Sequence, residues 1–214
     1  MTVTKGENKC MVSLINILKY QSIFRNSMAI MYRTEKWLVH CRLIEWMHSR
    51  RLRQYLANAP EVTGKALELG CGRGTTSLEI LMRYQKLQLI ATDIDSQEIA
   101  MAKVRPENTI TFETADAQKL SYRHNSFDAV FAFDVHHHIE DWRNALAEEY
   151  RVLKKGGRLF IQDFGRPPLY RVLYKIFPHT DFTKYEFIKE VQATGFKLEN
   201  VTQGFVFWLE AIKP

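Results

Sequence analysis

The segment from Glu68 to Thr76 combines one acidic side chain with three glycines, Gly70, Gly72 and Gly74, at every second position. An apolar run precedes it and a helix-like segment follows, so the pattern predicts a strand, a tight loop and the start of a helix. Glycine accepts positive φ angles and lets a ligand approach the backbone closely. A helix N-terminus offers unpaired N–H groups to an anion. The loop is therefore predicted to bind a small molecule with an anionic part.

Two known patterns of nucleotide-binding loops do not match this segment, because each requires a residue that the chain lacks at a defined position. The dinucleotide pattern G-x-G-x-x-G requires a third glycine where the chain has Thr75. A phosphate-binding P-loop requires a lysine near its end, whereas Gly74 is followed directly by Thr75 and Thr76. A glycine-rich turn without a ligand stays open as an alternative.

A second group of side chains that could bind a metal or exchange protons follows the apolar run Ser126–Phe133. It consists of Asp134 and three successive histidines, His136, His137 and His138. Consecutive side chains on a helix or turn point in different directions, so three such histidines do not easily share one ion, and no metal site is predicted. Carboxylate and imidazole groups can exchange protons with a reacting molecule. A buried, hydrogen-bonded histidine is the alternative role, and it is favoured for His138.

Short apolar runs that alternate with helix-like segments predict a sheet that positions these groups. After the strand that ends at Glu68, the next predicted strands are Leu87–Thr92, Thr109–Thr114, Ser126–Phe133 and Arg158–Asp163. The C-terminal part adds a helix over Thr183–Thr194 and two strands, Phe196–Thr202 and Phe205–Ile212. The irregular stretch 164–182 follows the fifth strand at the end where open α/β sheets bind ligands, so it is either a pocket wall or surface packing.

Asp93 follows the second predicted strand about 20 residues after the glycine loop. An α/β nucleotide fold places an acid there that accepts the ribose hydroxyls. Asp95 is the alternative ribose ligand. However, Ser96 is predicted to be the N-cap of the next helix, so Asp95 is interpreted as a charge at the helix entry.

Five motifs occur in a fixed order along the chain. They are E-L-G-C-G-x-G, T-D-I-D, A-D-A-x-x-L, S-F-D-A-V-x-x-x-D-V-H-H-H-I and R-V-L-K-K-G-G-R-L. This order resembles the class I S-adenosylmethionine-dependent methyltransferases, and within them the ubiquinone/menaquinone-biosynthesis branch (methyltransferase type 11). The resemblance covers about residues 65–164, with a weaker tail to residue 212. In that family the first of the three histidines is usually apolar, so His136 is a departure from the pattern.

The resemblance implies an α/β, Rossmann-like class I methyltransferase fold. Such a fold has a seven-stranded, mostly parallel sheet with an antiparallel final strand, helices on both faces and an N-terminal helical lid. It also implies S-adenosyl-L-methionine as cofactor and S-adenosyl-L-homocysteine as product. The implied cofactor-binding residues are Glu68, Gly70, Gly72, Gly74, Asp93, Ile94, Asp116, Ala117 and Ala132. Of these, Glu68 is expected to order the loop rather than touch the ligand.

The resemblance places Asp134, His136 and His137 near the transferred methyl group, so these residues are the candidate catalytic residues. The expected reaction is O-, N- or C-methylation of a small-molecule acceptor, with a quinone, a phenol or a lipid-like molecule as candidates. Two rival functions are a non-catalytic S-adenosylmethionine-binding protein and a nicotinamide-dependent oxidoreductase. Thr75 disfavours the second.

The positive charge is confined to the first part of the chain. Residues 1–60 hold ten Lys and Arg against three Asp and Glu, whereas residues 61–214 hold twenty against twenty-one. Residues 61–214 therefore lack the excess of basic residues that is typical of nucleic-acid-binding proteins. Three widely spaced cysteines give neither a disulfide framework nor a zinc motif, and a cytoplasmic location is expected.

Residues 1–60 are predicted to form a helical extension ahead of a cofactor-binding domain at 61–214, in one compact unit. Its two predicted helices cover about 11–24 and 34–56, and Asn58 and Pro60 end the second. The resemblance implies that they cover the pocket as a lid. Packing on the sheet and contact with an anionic membrane surface are the alternatives.

Overall fold

The computed structural model describes residues 42–104, 109–165, 182–202, 204 and 206–214, and the side chains of the first helix from Glu45 onward. The predicted helix at 11–24 and nearly all of the predicted pocket wall at 164–182 lie outside the described residues.

Five α-helices and seven strands make up the described part of the chain. The helices are α1 (Arg42–Asn58), α2 (Thr75–Arg83), α3 (Ser96–Ala102), α4 (Trp142–Val152) and α5 (Lys184–Ala193). The strands are β1 (Gly64–Leu69), β2 (Leu87–Asp93), β3 (Ile110–Thr114), β4 (Phe127–Phe133), β5 (Leu153–Phe164), β6 (Lys197–Val201) and β7 (Val206–Ile212). A single 3₁₀ turn, His136–His138, links β4 to α4.

The seven strands form one sheet in the order β3-β2-β1-β4-β5-β7-β6. Strands β1 to β5 run parallel, and β7 runs antiparallel to both β5 and β6. This confirms the predicted mostly parallel sheet with an antiparallel final strand. The strand order reverses between β1 and β4, and the carboxyl ends of strands on either side of such a point form a ligand crevice. The glycine loop follows β1 and the histidines follow β4, so the topology brings them together.

Helices cover both faces of the sheet, because the parallel strands are apolar on both sides. On one face, α4 and α5 pack on side chains such as Leu67, Val130 and Leu159. On the other face, α1, α2 and α3 pack on residues that include Phe131 and Phe160, whose rings stack 5.0 Å apart. Each face therefore has its own core, and the site-bearing loops leave the sheet from a rigid, fully packed layer.

Helix α1 packs into the second of these cores through Leu52 and Leu56, which are 3% and 1% exposed. It ends at Asn58, as the sequence predicts. Within the described residues, no helix is both long and apolar enough to cross a bilayer.

Local signals explain most element boundaries, with two corrections. Helix α5 begins with the capping box of Thr183 and Glu186, as the sequence indicates. The N-cap of α3, however, is Asp95 and not Ser96, because the Asp95 side chain accepts the N–H of Gln97. Strand β5 starts at Leu153 rather than at Arg158, since Leu153 already pairs with Phe127 before a register shift.

Candidate functional site

A cavity of about 270 Å³ lies at the carboxyl ends of β1, β2 and β4, on the side where the strand order reverses. The loops after β1, β2, β3 and β4 line it, and Phe164, the last residue of β5, lines it as well. Helix α1 supplies three further lining residues, Glu45, His48 and Ser49. The cavity is continuous from the glycine loop to the histidine turn.

The three loop glycines have different structural roles. All three have positive φ angles, 68° at Gly70, 50° at Gly72 and 78° at Gly74. A β-carbon would lie 2.4 Å from the side chain of Val135 at Gly70 and 2.8 Å from the ring of Phe112 at Gly74. At Gly72 it would meet no atom within 4 Å. Gly70 and Gly72 line the cavity, whereas Gly74 does not; its role is to pack the loop against β3.

Glu68 lies behind the loop and outside the cavity lining. It is 1% exposed, and its carboxylate accepts the hydroxyls of Thr76 and Ser77 at the start of α2. Burial raises the pKa of Glu68 to about 7, against the lowering by these hydrogen bonds. Its carboxylate therefore ties the end of β1 to the first turn of α2, in agreement with an ordering role.

Asp93 lines the cavity and also holds the glycine loop in place. Its Oδ2 accepts the N–H of Gly72 at 2.9 Å, and its Oδ1 accepts the N–H of Asp95 at 2.8 Å. Burial raises the pKa of Asp93. A carboxylate oxygen can accept more than one hydrogen bond, so Asp93 retains capacity for ligand hydroxyls. Ile94 lines the cavity beside it.

Asp116 and Ala117 follow β3 and line the cavity on its far side. Oδ1 of Asp116 accepts both the backbone N–H and the side-chain amide of Gln118, at 2.9 and 3.2 Å. The carboxylate therefore caps the local turn through one oxygen while it faces the cavity.

At the end of β4, the cavity lining begins with Phe133, one residue after Ala132. Ala132 is fully buried and does not line the cavity, whereas Phe133 and Asp134 do. The backbone of Ala132 lies within the ladder between β1 and β5, and the assignment of a ligand-binding carbonyl at or near Ala132 stays a prediction. Asp134 has a φ of 53°, and its carboxylate accepts the side-chain amide of Gln162 at 2.5 Å.

Of the three histidines of the 3₁₀ turn, His137 and His138 line the cavity with their ring centroids 3.9 Å apart, whereas His136 lies beneath it. His137 lines the cavity, and its Nδ1 lies 2.8 Å from Oδ1 of Asp163 on β5. His136 is fully buried, lies outside the cavity lining, and places Nε2 2.8 Å from Oε1 of Glu149 on α4. His138 is half-buried and lines the cavity.

Two sequence predictions need correction here. His136 was a candidate catalytic residue, but a side chain sealed beneath the cavity cannot touch a ligand in it. His138, for which a buried role was favoured, is half-buried and lines the cavity, whereas His136 and His137 are buried and hydrogen-bonded.

Sequence reasoning missed the cavity residues of α1 and the buried carboxylates of Asp163 and Glu149. Glu45, His48 and Ser49 have the spacing i, i+3 and i+4, so they form one polar stripe on a helix that is otherwise anchored by leucines. That stripe was the signal available in the sequence.

The methyltransferase domain family matches residues 67–161. A demethylmenaquinone methyltransferase from Paenarthrobacter aurescens is 32% identical over 170 residues, which cover 77% of this chain and 62% of that protein. The chain spans between 38% and 62% of the length of the first curated relatives that it matches.

Solved structures share the fold at low sequence identity. The putative methyltransferase in complex with the Haloferax volcanii Trm112 methyltransferase activator has a TM-score of 0.74 and 16% identity, over 86% of this chain and 99% of that chain. Haemonchus contortus phosphoethanolamine N-methyltransferase 2, in complex with S-adenosyl-L-methionine, has a TM-score of 0.67 and 18% identity, over 84% of this chain and 56% of that chain.

The fold and the site thus define a nucleotide-binding α/β domain with its pocket at the strand-order reversal. The chain is similar to class I S-adenosylmethionine-dependent methyltransferases: residues 67–161 match the methyltransferase domain family, and the similar relatives include quinone-biosynthesis enzymes. The methyl donor of this class is S-adenosyl-L-methionine.

Proposed function

We propose that this protein transfers a methyl group from S-adenosyl-L-methionine to a small-molecule acceptor. The observation that carries the proposal is the single cavity that joins the loop of Gly70 and Gly72 to Asp134 and His137. One end has the features that an adenosyl ligand needs, and the other has groups that can orient an acceptor and hold its proton. Donor and acceptor would therefore meet in one enclosed space.

The residues at the cofactor end fit the parts of the proposed ligand. The open space above Gly72 accommodates the methionine part, and the Asp93 carboxylate accepts the ribose hydroxyls. Ile94 packs on the adenine face, Asp116 accepts the adenine amino group, and the Ala117 N–H lies nearby. Glu68 and Gly74 support the loop from behind. These assignments are predictions.

The acceptor end combines apolar surface with a few polar groups. Phe133, Val135, Ile139 and Phe164 line it together with Asp134. The bound donor supplies an already activated methyl group, so the protein must place the acceptor atom in line and exclude water. Helix α1 closes the cavity on this side, which supports a role as a lid. We propose a quinone-like, phenolic or lipid-like acceptor, because this lining is mainly apolar and the matched relatives include demethylmenaquinone methyltransferases.

The proposal extends to the kind of acceptor and to a contact with a membrane. Residues 61–214 are nearly neutral, which supports a small-molecule acceptor rather than nucleic acid. On α1, Trp46 is 52% exposed and Met47 is 45% exposed, and the Arg50 guanidinium lies 5.6 Å from the Trp46 ring. Such a surface supports contact of a cytoplasmic protein with a membrane that holds an apolar acceptor.

Turnover with a panel of acceptors tests this function. The purified protein is incubated with S-adenosyl-L-methionine and, separately, hydroquinones, phenols, amines and phospholipids, and S-adenosyl-L-homocysteine is quantified. We expect product formation that depends on one acceptor class and is reduced in Gly72→Val at subsaturating donor. Tight donor binding without turnover of any acceptor would favour the non-catalytic alternative.

A further inference from the structure

Helix α1 is attached to the rest of the fold through its second half. The Leu52 and Leu56 side chains are buried in the core, and the ring of Tyr55 stacks on Trp208 of β7 with centroids 3.9 Å apart. At the end of α2, Nε of Arg83 donates to the carbonyl oxygen of Leu56 at 2.9 Å. These contacts fix the half of α1 that does not line the cavity.

The first half of α1 covers the acceptor end of the cavity with much less burial. All five residues 45–49 are exposed or half-buried, and Glu45, His48 and Ser49 line the cavity. Nδ1 of His48 lies 3.3 Å from Oδ2 of Asp134, and the two side chains are 42% and 21% exposed. The contact lies where a movement of this half of α1 would open the cavity.

The Asp134 side of this contact is attached to the sheet. Gln162 of β5 is 4% exposed, and its Nε2 donates to the same Oδ2 of Asp134 at 2.5 Å. Asp134 follows β4 directly and has a left-handed φ of 53°. The contact of His48 with Asp134 therefore connects a half-buried segment of α1 to the central strands.

The strength of this contact depends on the charge of an imidazole. Histidine is the side chain whose charge ordinarily changes between about pH 5 and about pH 8. An imidazolium attracts the Asp134 carboxylate, whereas a neutral ring lacks this attraction. A partly exposed ion pair changes an equilibrium by up to about fivefold.

We propose that His48 and Asp134 form a proton-dependent latch that holds α1 over the acceptor end of the cavity. Protonation of His48 closes the latch, and loss of the proton releases it. The inference rests on the proposed role of α1 as a lid, and it adds the control of that lid by pH. Because ligands enter and leave through the same opening, the latch changes both rates and leaves the affinity unchanged.

Two charged residues of α1 lie one turn away from His48. Glu45 precedes it by three positions and Arg51 follows it by three, so both are neighbours on the helix surface. The carboxylate of Glu45 favours the imidazolium, and the guanidinium of Arg51 opposes it. Their effects on His48 have opposite signs.

Other elements bring further titratable and charged groups to the cavity. His137 and His138 line it from the turn after β4. Arg73 of the glycine loop and Glu98 of α3 also line it, and they pair with each other at 3.3 Å. All of these groups are present in the wild-type protein and in a His48→Gln variant. A comparison of the two proteins at each pH therefore isolates the contribution of His48.

Alkylation of Cys71 by iodoacetamide measures the opening of the cavity without a ligand. Cys71 is a free cysteine that lines the cavity and is 4% exposed. The rate is followed by mass spectrometry on the peptide that carries Cys71, from about pH 6 to about pH 8, where histidine changes its charge. The thiolate is the reactive form in both proteins, so its own pH dependence cancels in the ratio of their rates.

The latch predicts a ratio that changes with pH. Near the lower end of this range we expect the wild type to react up to about fivefold more slowly than His48→Gln, and near the upper end at the same rate. His124→Gln, which removes an exposed histidine outside the cavity lining, is expected to react like the wild type. Asp134→Asn is expected to lose the same pH dependence, since asparagine tolerates a left-handed φ but carries no charge.

Stopped-flow binding of S-adenosyl-L-homocysteine separates a latch from a ligand contact. Near the lower end of the same pH range, we expect association and dissociation to be slower in the wild type than in His48→Gln by the same factor. The Kd is then equal in the two proteins. A change confined to the dissociation rate, with a different Kd, would make His48 a ligand-binding residue and overturn the latch.

Each remaining outcome also bears on the latch. A ratio of Cys71 alkylation rates that stays constant with pH overturns it, and so does a folded Asp134→Asn variant that keeps the wild-type pH dependence. If S-adenosyl-L-homocysteine still binds in those cases, the methyltransferase function stands without the latch. If the ligand does not bind, the proposed function fails, while the alkylation rates still decide whether α1 is held by His48.

Discussion

Nδ1 of His48, on helix α1, lies 3.3 Å from Oδ2 of Asp134, at the end of strand β4. This contact joins the N-terminal helix to the floor of the cavity. Asp134 has a left-handed φ of 53°, and a strained backbone of this kind persists only where its surroundings hold it. Gln162 on β5 and His48 on α1 both hold the Asp134 carboxylate, so the position of this carboxylate depends on the position of α1.

Replacement of His48 by glutamine is expected to impair turnover without weakening the binding of the donor S-adenosyl-L-methionine. The contact with Asp134 is partly exposed, so we expect a loss of up to about fivefold in kcat/KM for the acceptor, the scale of a partly exposed polar contact. Steady-state kinetics with the donor saturating would measure it. The control is His124→Gln, which removes an exposed histidine outside the cavity lining. Equal kinetics in both variants would show that α1 only packs on the sheet.

Replacement of Gly72 by valine is expected to weaken donor binding, because the new side chain fills the open space above the loop. Overpacking of about 1–3 kcal/mol corresponds to roughly a 5- to 150-fold higher Kd. Gly156→Val is the matched control, since Gly156 also has a positive φ, of 77°, and open space around its β-carbon but lies in β5 outside the cavity lining. If calorimetry gave both variants the wild-type Kd, the methionine part would have to lie elsewhere.

Asp93→Asn is expected to raise the Kd for S-adenosyl-L-methionine by about 10- to 150-fold. The basis is the roughly 1.5–3 kcal/mol associated with a hydrogen bond to a charged group. Asp95→Asn is the comparison, because asparagine preserves the N-cap of α3 while it removes the second candidate carboxylate. A larger loss of affinity in Asp95→Asn than in Asp93→Asn would reassign the ribose ligand.

The buried carboxylate of Glu68 makes stability depend on pH. Its pKa is raised by burial to about 7 in the folded protein, compared with about 4.3 in an unfolded chain. Between these values the folded state binds more protons than the unfolded state, so the contribution of Glu68 to stability falls as pH rises, by at most about 4 kcal/mol. Glu68→Gln removes this titration.

Melting temperatures from about pH 5 to about pH 8 would test this prediction. The Glu68→Gln variant is expected to gain stability relative to the wild type as the pH rises, since only the wild type must ionise a buried carboxyl group. A difference between the two proteins that stayed constant over this range would contradict the raised pKa.

Periodic apolar runs were sufficient to predict the sheet, because strands buried on both faces have few sequence alternatives. Spacing after β1 and β2 likewise led to Gly72 and Asp93, which both line the cavity. The orientation of the histidine turn was not predictable in this way. Whether His136 or His138 faces the cavity depends on Glu149 and Asp163, which arrive from α4 and β5 and leave no local signal at the turn.

The N-terminal helix illustrates a different limit. Its basic and apolar residues indicated a helix, but its contribution to the cavity comes from the polar stripe that includes Glu45 and His48. The sequence contains that stripe, yet only the packing of Leu52 and Leu56 on the sheet determines where it points.

The measurement that tests the account most directly is titration calorimetry of the purified protein with S-adenosyl-L-methionine, S-adenosyl-L-homocysteine and NAD. The cavity around Gly72 and Asp93 predicts micromolar binding of the two adenosyl ligands and no binding of NAD. Binding of NAD alone would favour the oxidoreductase alternative. The absence of binding by either adenosyl ligand to folded protein would contradict the assignment of this cavity to a methyl donor.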